Sequence, residues 1–457
     1  MTDELGSWDA VETAERVRAG DVSAREVIDA AIARAEAAAD LNAVVTAAFD
    51  RARRLASDAG GPLGGVPTFI KDLAHVEGLR TAWGSAGSGH YTATRTDPFP
   101  ADVEAVGAVT LGKSATPELG LTGTTEPVAF GPCRNPWDRE RSVGGSSGGA
   151  AALVAAGVVP IAHASDGGGS IRIPAACCGL VGLKVSRGRR DMAGSKLLPV
   201  NVAVDGVVSR TVRDTVAFWN AIEERNPPRG LGPIGDVRPE PARPLRVGLF
   251  TDSTAADVDP EVVAAVEQTG RNLEALGHRV EAITNPAPST FNEDFVRYWG
   301  LVAYAQHRLG RVLQHPGWDA REVEDWTRGL SGYFTSELRE NLAATRRLMR
   351  LERDLAHVHH RWDVLLGPTL ARPAAPIGFI GPDVPFEENR LRLIDYIPFT
   401  PLQNALGAPA ISLPLGRTEA GLPIGVMLAA ARGEDRLLLS LARQLEAAHP
   451  WPTHAPS

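Results

Sequence analysis

Cysteine is scarce. Three stand in 457 residues, Cys133, Cys177 and Cys178, and two of them are adjacent. An odd count with no CxxC pair excludes a disulfide framework and a zinc ribbon, and fits a reducing, cytoplasmic compartment. Positive charge is not in excess either. The net charge is −8 and the isoelectric point about 5.8, so the chain lacks the basic face that a nucleic acid or an anionic membrane surface would require. The first residues, MTDELGSWDAVETAERVRAG, have no apolar core of the kind a secretory signal carries. The longest apolar run, Ala150 to Ala162, is interrupted by Gly157 and Pro160 and is too short to cross a bilayer. There is no internal repeat and no long low-complexity tract. The expectation is a soluble cytoplasmic protein whose partner is a small molecule.

Hydrophobic residues make up 44% of the chain and charged residues 22%, as in a folded protein. The length suits one large α/β unit or two smaller ones. Apolar positions at helical spacing predict helices over 8–40, with a break at Gly20-Asp21, and over 148–156, 259–277 and the end of the chain, and "DVEAVGAVTLGKS" (102–114) reads as helix, turn, strand. Short apolar runs predict strands in "VPTFIK", near Val158–Ala164, in "RVGLF" and "RVEAI", and in "DVLLGPT", "PAISLPLG" and "GLPIGVMLAA". Residues 223–245 are rich in Pro, Gly and Arg and read as a surface connection. Residues 291–364 are mostly helical in pattern and carry many aromatics. Strands alternating with helices predict an α/β layered fold.

Two glycine knots stand out, GGSSGG at 144–149 and DGGGS at 166–170. Neither is followed by Gly-Lys-Ser/Thr, so neither is a phosphate loop. Glycine turns at strand–helix junctions are common for conformational reasons alone. A third reading is nucleophilic catalysis, which needs a hydroxyl with a base in reach and backbone N–H groups aimed at a developing oxyanion. Three glycines ahead of Ser170 suit the second requirement, because glycine lets the backbone approach a carbonyl closely. The context of Ser170, G-G-S-I-R, is not a G-x-S-x-G elbow. For a base, His163 is near in sequence but reads as a packed strand residue; His278 and the His359-His360 pair are available in principle. A lysine made neutral by burial is the other option, and Lys71 ends an apolar strand, although by its local sequence it reads as a surface lysine.

The whole string G-G-S-S-G-G, small residues, then D-x-G-G-S-I-R-x-P resembles the amidase signature family of serine hydrolases. "GGVPTFIKD", "FGPCRNPWDRERSVGGSSGG", "CGLVGLKVSRGR", "FTPLQNALGAPAISLPLG" and "GLPIGVMLAA" are similar to further family elements, so the resemblance covers most of the chain outside roughly 223–360. It implies the amidase-signature fold, a central mixed twisted β-sheet covered by helices on both faces, as a single domain over 1–457 with a variable, helix-rich region at 223–360 on the substrate side. It also implies a catalytic triad of Ser170 as nucleophile, Ser146 as bridging serine after a cis Gly145–Ser146 peptide, and Lys71 as base. The N–H groups of Gly167, Gly168, Gly169 and Ser170 would form the oxyanion hole, and Gly120, Leu121 and Thr122 would line the acyl pocket.

Ser147 is expected to hydrogen-bond near the lysine, and Asp166 and Arg172 to pair or to anchor backbone. Cys177 and Cys178 are expected in the core, and His359-His360 on a polar helix face rather than at a metal. No metal or organic cofactor is implied, and the resemblance allows a homodimer. Two departures from the family pattern stand near the site. Gly167 occupies a position where many relatives carry a larger residue, and Ser114 and Ala115 replace residues that include an amide. The expected reaction is hydrolysis of small neutral aryl or alkyl amides, extending to carbamates and urethanes. The alternatives are the glutaminase subunit of a tRNA-dependent amidotransferase and a non-catalytic binding protein on the same fold.

Overall fold

The strand-forming runs lie where the fold has its most buried backbone. In the computed structural model, which describes residues 4–58 and 60–456, the strands are β1 (Val44–Ala47), β2 (Pro67–Lys71), β3 (Val109–Ser114), β4 (Ile161–Asp166), β5 (Val181–Lys184), β6 (Val204–Ser209), β7 (Arg246–Leu249), β8 (Arg279–Ala282), β9 (Val364–Pro368), β10 (Ala410–Arg417) and β11 (Pro423–Ala430). Eight of them form one mixed sheet in the order β4-β6-β5-β10-β11-β9-β7-β8. The pairs from β4 to β9 are antiparallel, and β9-β7 and β7-β8 are parallel. A smaller sheet, β1-β3-β2, lies alongside. β2 meets β4 through three polar contacts: Thr68 Oγ1 donates to the Ile161 carbonyl at 3.1 Å, the Lys71 N–H to His163 Nδ1 at 3.2 Å, and Lys71 Nζ to Ser165 Oγ at 3.1 Å.

Helices flank the large sheet. Their apolar stripes, spaced three and four apart, supply the covering layer. Leu438, Leu439, Leu441, Ala442 and Leu445 of helix Asp435–Ala448 pack in one core with Phe218, Trp219 and Ile222 of helix Val212–Arg225 and Val262, Val266 and Leu273 of helix Pro260–Ala275. A second core surrounds helices Gly148–Ala155 and Arg172–Cys178 and takes in all three cysteines. A third joins the helices between 291 and 354 to Leu119 and Leu121.

The predicted elements recur with local shifts. The N-terminal pattern splits into helices Ala10–Ala19 and Ala24–Ala37, the first ended by Gly20 at φ 79° and the second opened by a Ser23–Glu26 capping box. The strand expected at Val158–Ala164 runs instead from Ile161 to Asp166. Gly157 closes the preceding helix at φ 72° and Pro160 has no N–H to give a ladder, so pairing begins one residue after the proline. That shift brings Asp166 to the strand end and places the DGGGS turn directly after it. Among the described residues no helix is long and apolar enough to cross a membrane.

Candidate active site

β2 is buried at all five positions, so the side chain at its end has no route to solvent. Lys71 is 0% exposed, which overturns its reading as a surface lysine. The strand is enclosed by β3 on one side and by β4 on the other. The ammonium form is penalised in such a place. Burial pushes Lys71 down from 10.5 to about 7, against the opposing pull of Asp166 and Asp205. Its Nζ lies 2.8 Å from Ser146 Oγ and 3.1 Å from Ser165 Oγ. The neighbouring Asp72 faces a different cation: Lys113 Nζ stands 2.8 Å from Asp72 Oδ1, with both side chains buried. Two adjacent residues of one strand end are thereby separated, one lysine with hydroxyl partners and one aspartate with a charge partner.

The Gly145–Ser146 peptide is cis. Gly145 has no room for a side chain, since a Cβ there would lie 2.4 Å from the Thr124 carbonyl oxygen. Ser147 turns away from Lys71 toward the backbone of Ser165, accepting its N–H at 3.3 Å and donating to its carbonyl at 3.2 Å. Ser147 therefore reaches the lysine's surroundings through Ser165. Ser165 itself was missed in the sequence; strand alternation in β4 puts His163 and Ser165 on one face, and that face meets Lys71. Ser114 and Ala115 do not line the cleft. The Gly149 N–H bonds the Ala115 carbonyl at 3.1 Å, so the link from β3 to the GGSSGG turn runs through backbone and does not need a side-chain amide.

Asp166 organises the second knot. Its carboxylate accepts the Gly169 N–H at 2.7 Å and the Ile171 N–H at 3.2 Å, and pairs with Arg172 through two bonds of 3.0 Å. Asn404 joins both, donating to Asp166 Oδ1 at 2.8 Å and accepting from Arg172 at 2.6 Å. Burial alone would raise the Asp166 carboxyl; the Arg172 charge and bonds, with Asn404, hold it well below the usual carboxylate range. Thr400 Oγ1 donates to the Gly168 carbonyl at 2.8 Å. Because the Gly169 N–H is already committed to a carboxylate, it is not free for an oxyanion. The N–H groups of Gly167, Gly168 and Ser170 have no protein partner among the described residues. Asn404 and Thr400 sit in the quoted "FTPLQNALG" element, where the sequence carries no sign of their partners.

Ser170, 8% exposed, opens into a cleft with about 550 Å³ of atom-free space, part of it open to solvent. Gly120, Leu121 and Thr122 line this cleft as expected, together with Gly168, Phe295, Trp299, Leu393, Ile394 and Ile397 among others. A Cβ on Gly120 would stand 3.3 Å from Ser146 Oγ, so the Gly120–Thr122 loop passes directly beside Ser146. The loop is latched to the helical region. Trp299 and Trp326 both donate their indole N–H to the Leu121 carbonyl, at 3.0 and 3.1 Å. Glu118 accepts from Ser85 at 2.6 Å, from Thr327 at 2.5 Å and from the Glu324 N–H at 2.8 Å. Of the aromatics at 291–334, Phe295 and Trp299 form cleft wall, while Phe291, Tyr298, Trp318 and Trp326 pack in the helical core.

The aromatic wall also accounts for Gly167. A Cβ there would come within 3.0 Å of Trp299 Cη2, and one on Gly168 within 3.1 Å of Phe295 Cε1. The rings occupy the volume that a larger residue at 167 would fill. Cys177 and Cys178 are buried. His359 is half-buried and His360 exposed on helix Ala356–Arg361.

The family model described as Amidase matches residues 26–439, and the chain belongs to this amidase (amidase signature) family. AmiC of Mycobacterium tuberculosis is 44% identical over 464 residues, covering 100% of this chain and 98% of that protein. A solved structure of 6-aminohexanoate cyclic dimer hydrolase complexed with substrate superimposes with a TM-score of 0.89 at 34% identity, covering 99% of both chains. A bacterial aryl acylamidase of the amidase signature family superimposes with a TM-score of 0.82 at 27% identity, covering 97% of this chain and 96% of that one. The protein is an amidase-family hydrolase acting on C–N bonds of amides.

Proposed function

We propose that this hydrolase cleaves small, neutral aryl or alkyl amides, and by the same chemistry carbamates, through an acyl-enzyme on Ser170. The observation that carries the reading is the Lys71–Ser146 contact at 2.8 Å, inside a pocket that pushes the amine down to about 7. Neutral Lys71 takes the Ser146 proton as Ser146 takes that of Ser170. Ser170 Oγ adds to the substrate carbonyl, and the N–H groups of Gly167, Gly168 and Ser170 receive the oxyanion. The relay then reverses. Lys71 returns a proton through Ser146 to the leaving amine, the C–N bond breaks, and water hydrolyses the ester to regenerate Ser170.

The cleft supports a neutral substrate. None of its lining residues among those described is charged, so nothing there would hold the ammonium and carboxylate of free glutamine. An unpaired charge moved against apolar walls is costly. The likeness to an aryl acylamidase and to a cyclic-amide hydrolase supports the same class. The test is a panel of anilides, alkyl amides and aryl carbamates against glutamine, assayed on the wild type and Ser170→Ala. Turnover of neutral amides that disappears in Ser170→Ala is expected. Turnover of glutamine alone would overturn the reading.

A further inference from the structure

We propose that Asn292 is a specificity-determining residue of the cleft: it hydrogen-bonds an uncharged polar group that the substrate carries beyond its scissile amide. The preferred substrates are then amides with a second amide, carbamate or urea function rather than plain alkyl amides. The inference rests on the amide-cleaving reading of the Ser170 site.

Helix Phe291–Arg308 presents Asn292, Phe295, Val296 and Trp299 to the cleft. These positions are spaced as one face of a helix. Three of the four are apolar and the fourth is a primary amide. Asn292 is 8% exposed as a residue; its amide bonds no protein group among the described residues and is not one of the enclosed, unpartnered side-chain atoms, so it is open to the cleft that it lines. Once an occupant covers this amide, leaving its donors and acceptors unmade is unfavourable, because enclosed amides are ordinarily paired. A cleft that presents one amide in an otherwise apolar stripe favours an occupant that pairs with it. Thr122 repeats the pattern, since its Oγ1 also lacks a partner and the residue also lines the cleft.

The chemistry of the occupant follows from the donor set. An asparagine side chain both donates and accepts, which matches another amide. The cleft offers no charged side chain among its described lining residues, so an ammonium or carboxylate tail would be desolvated without a counter-charge. A plain alkyl tail would bury the Asn292 amide unpaired. Sites of this kind discriminate strongly against analogues that lack the hydrogen-bonding group.

The test uses matched anilides of straight-chain acids over a series of chain lengths, ending in methyl, in carbamoyl or in ammonium. For the wild type, kcat/KM at the best-fitting length should favour carbamoyl over methyl by about tenfold, the worth of one such bond. In Asn292→Leu the ratio should fall to one or reverse. Asn292→Asp should gain on the ammonium series relative to carbamoyl. Each ratio is measured on a single preparation, so a partly folded variant does not alter it. Calorimetric binding of the same compounds to Ser170→Ala provides a readout independent of turnover. A carbamoyl preference in binding without turnover by the wild type would sink the proposed function and sustain this inference. Equal binding of carbamoyl and methyl tails at every length, or a ratio unchanged by Asn292→Leu, would overturn it.

Discussion

Lys71 Nζ stands 2.8 Å from Ser146 Oγ at the end of a strand with every residue buried. The amine's charge state is therefore set by the protein interior rather than by solvent. Burial moves it from 10.5 to about 7, so above about pH 7 it is a free base and below it an ammonium. A catalytic base works in its deprotonated form. The kcat/KM for an amide should rise through about pH 7 and level off above it. A profile that falls steadily from about pH 6 to 9 in folded protein contradicts this assignment. The same shift acts on stability. The unfolded chain holds the proton up to about 10.5 and the folded one releases it near 7, so this lysine's contribution to stability declines as pH drops between those values.

Ser165 stands 3.1 Å from Lys71 Nζ. Its removal takes away one hydrogen bond without touching Ser170. Ser165→Ala should lower kcat/KM by about 2- to 12-fold, the equivalent of about 0.5–1.5 kcal/mol. Steady-state kinetics on a chromogenic anilide measures it. An unaltered rate would remove Ser165 from the relay's surroundings.

Gly167 and Trp299 share one volume. Gly167→Ile would drive a side chain into the indole ring, 3.0 Å from where its Cβ would stand, and displace the Gly167 N–H. Loss of one oxyanion donor costs about 2.7–4 kcal/mol, so kcat should fall by about 10²- to 10³-fold. Adding Trp299→Ala should restore part of that loss by emptying the space. Rescue in the double variant is the diagnostic result; an additive loss would place the damage elsewhere.

Asp166 and Arg172 form a fully buried ion pair that ties the 166–170 turn to Asn404. Arg172→Leu leaves the carboxylate unpaired in the interior, which should cost about 3–5 kcal/mol of stability at neutral pH. The folded-state carboxyl is held low by Arg172, so this contribution is present above the ordinary carboxylate value of 3.8 and is lost as pH falls below it. Denaturant titration of wild type and variant at about pH 7 and at about pH 2.5, well below the ordinary carboxylate value, tests both points. A neutral-pH loss under about 1 kcal/mol would contradict the pairing.

Much of this architecture was readable before any coordinates. The strand ending at Lys71, the helix after GGSSGG and the DGGGS turn were marked by local pattern, because glycine, proline and apolar alternation act over a few residues. The burial of Lys71 was not, since the second wall of β2 comes from β4, some ninety residues away, and VPTFIK alone cannot announce it. Gly169 reads in the sequence as one of four equivalent donors, but its N–H is taken by the Asp166 carboxylate, three residues before it. Ser165, Asn404 and Asn292 were missed for a shared reason. Ser165 and Asn404 bond partners distant in sequence, Asn292 meets the cleft only through the packing of its helix, and no spacing rule connects them. The fit of Trp299 against Gly167 spans more than a hundred residues and became visible only as a shared volume.

The measurement that bears most directly on the Lys71–Ser146–Ser170 assignment is covalent trapping with a fluorophosphonate, with the adduct mapped by mass spectrometry. Ser170→Ala and Lys71→Ala are run beside the wild type, and the folded state of each is checked by circular dichroism. The expected result is a single adduct on Ser170, absent in Ser170→Ala and formed far more slowly in Lys71→Ala. An adduct on another serine, or labelling of Ser170 at an equal rate without Lys71, would contradict it.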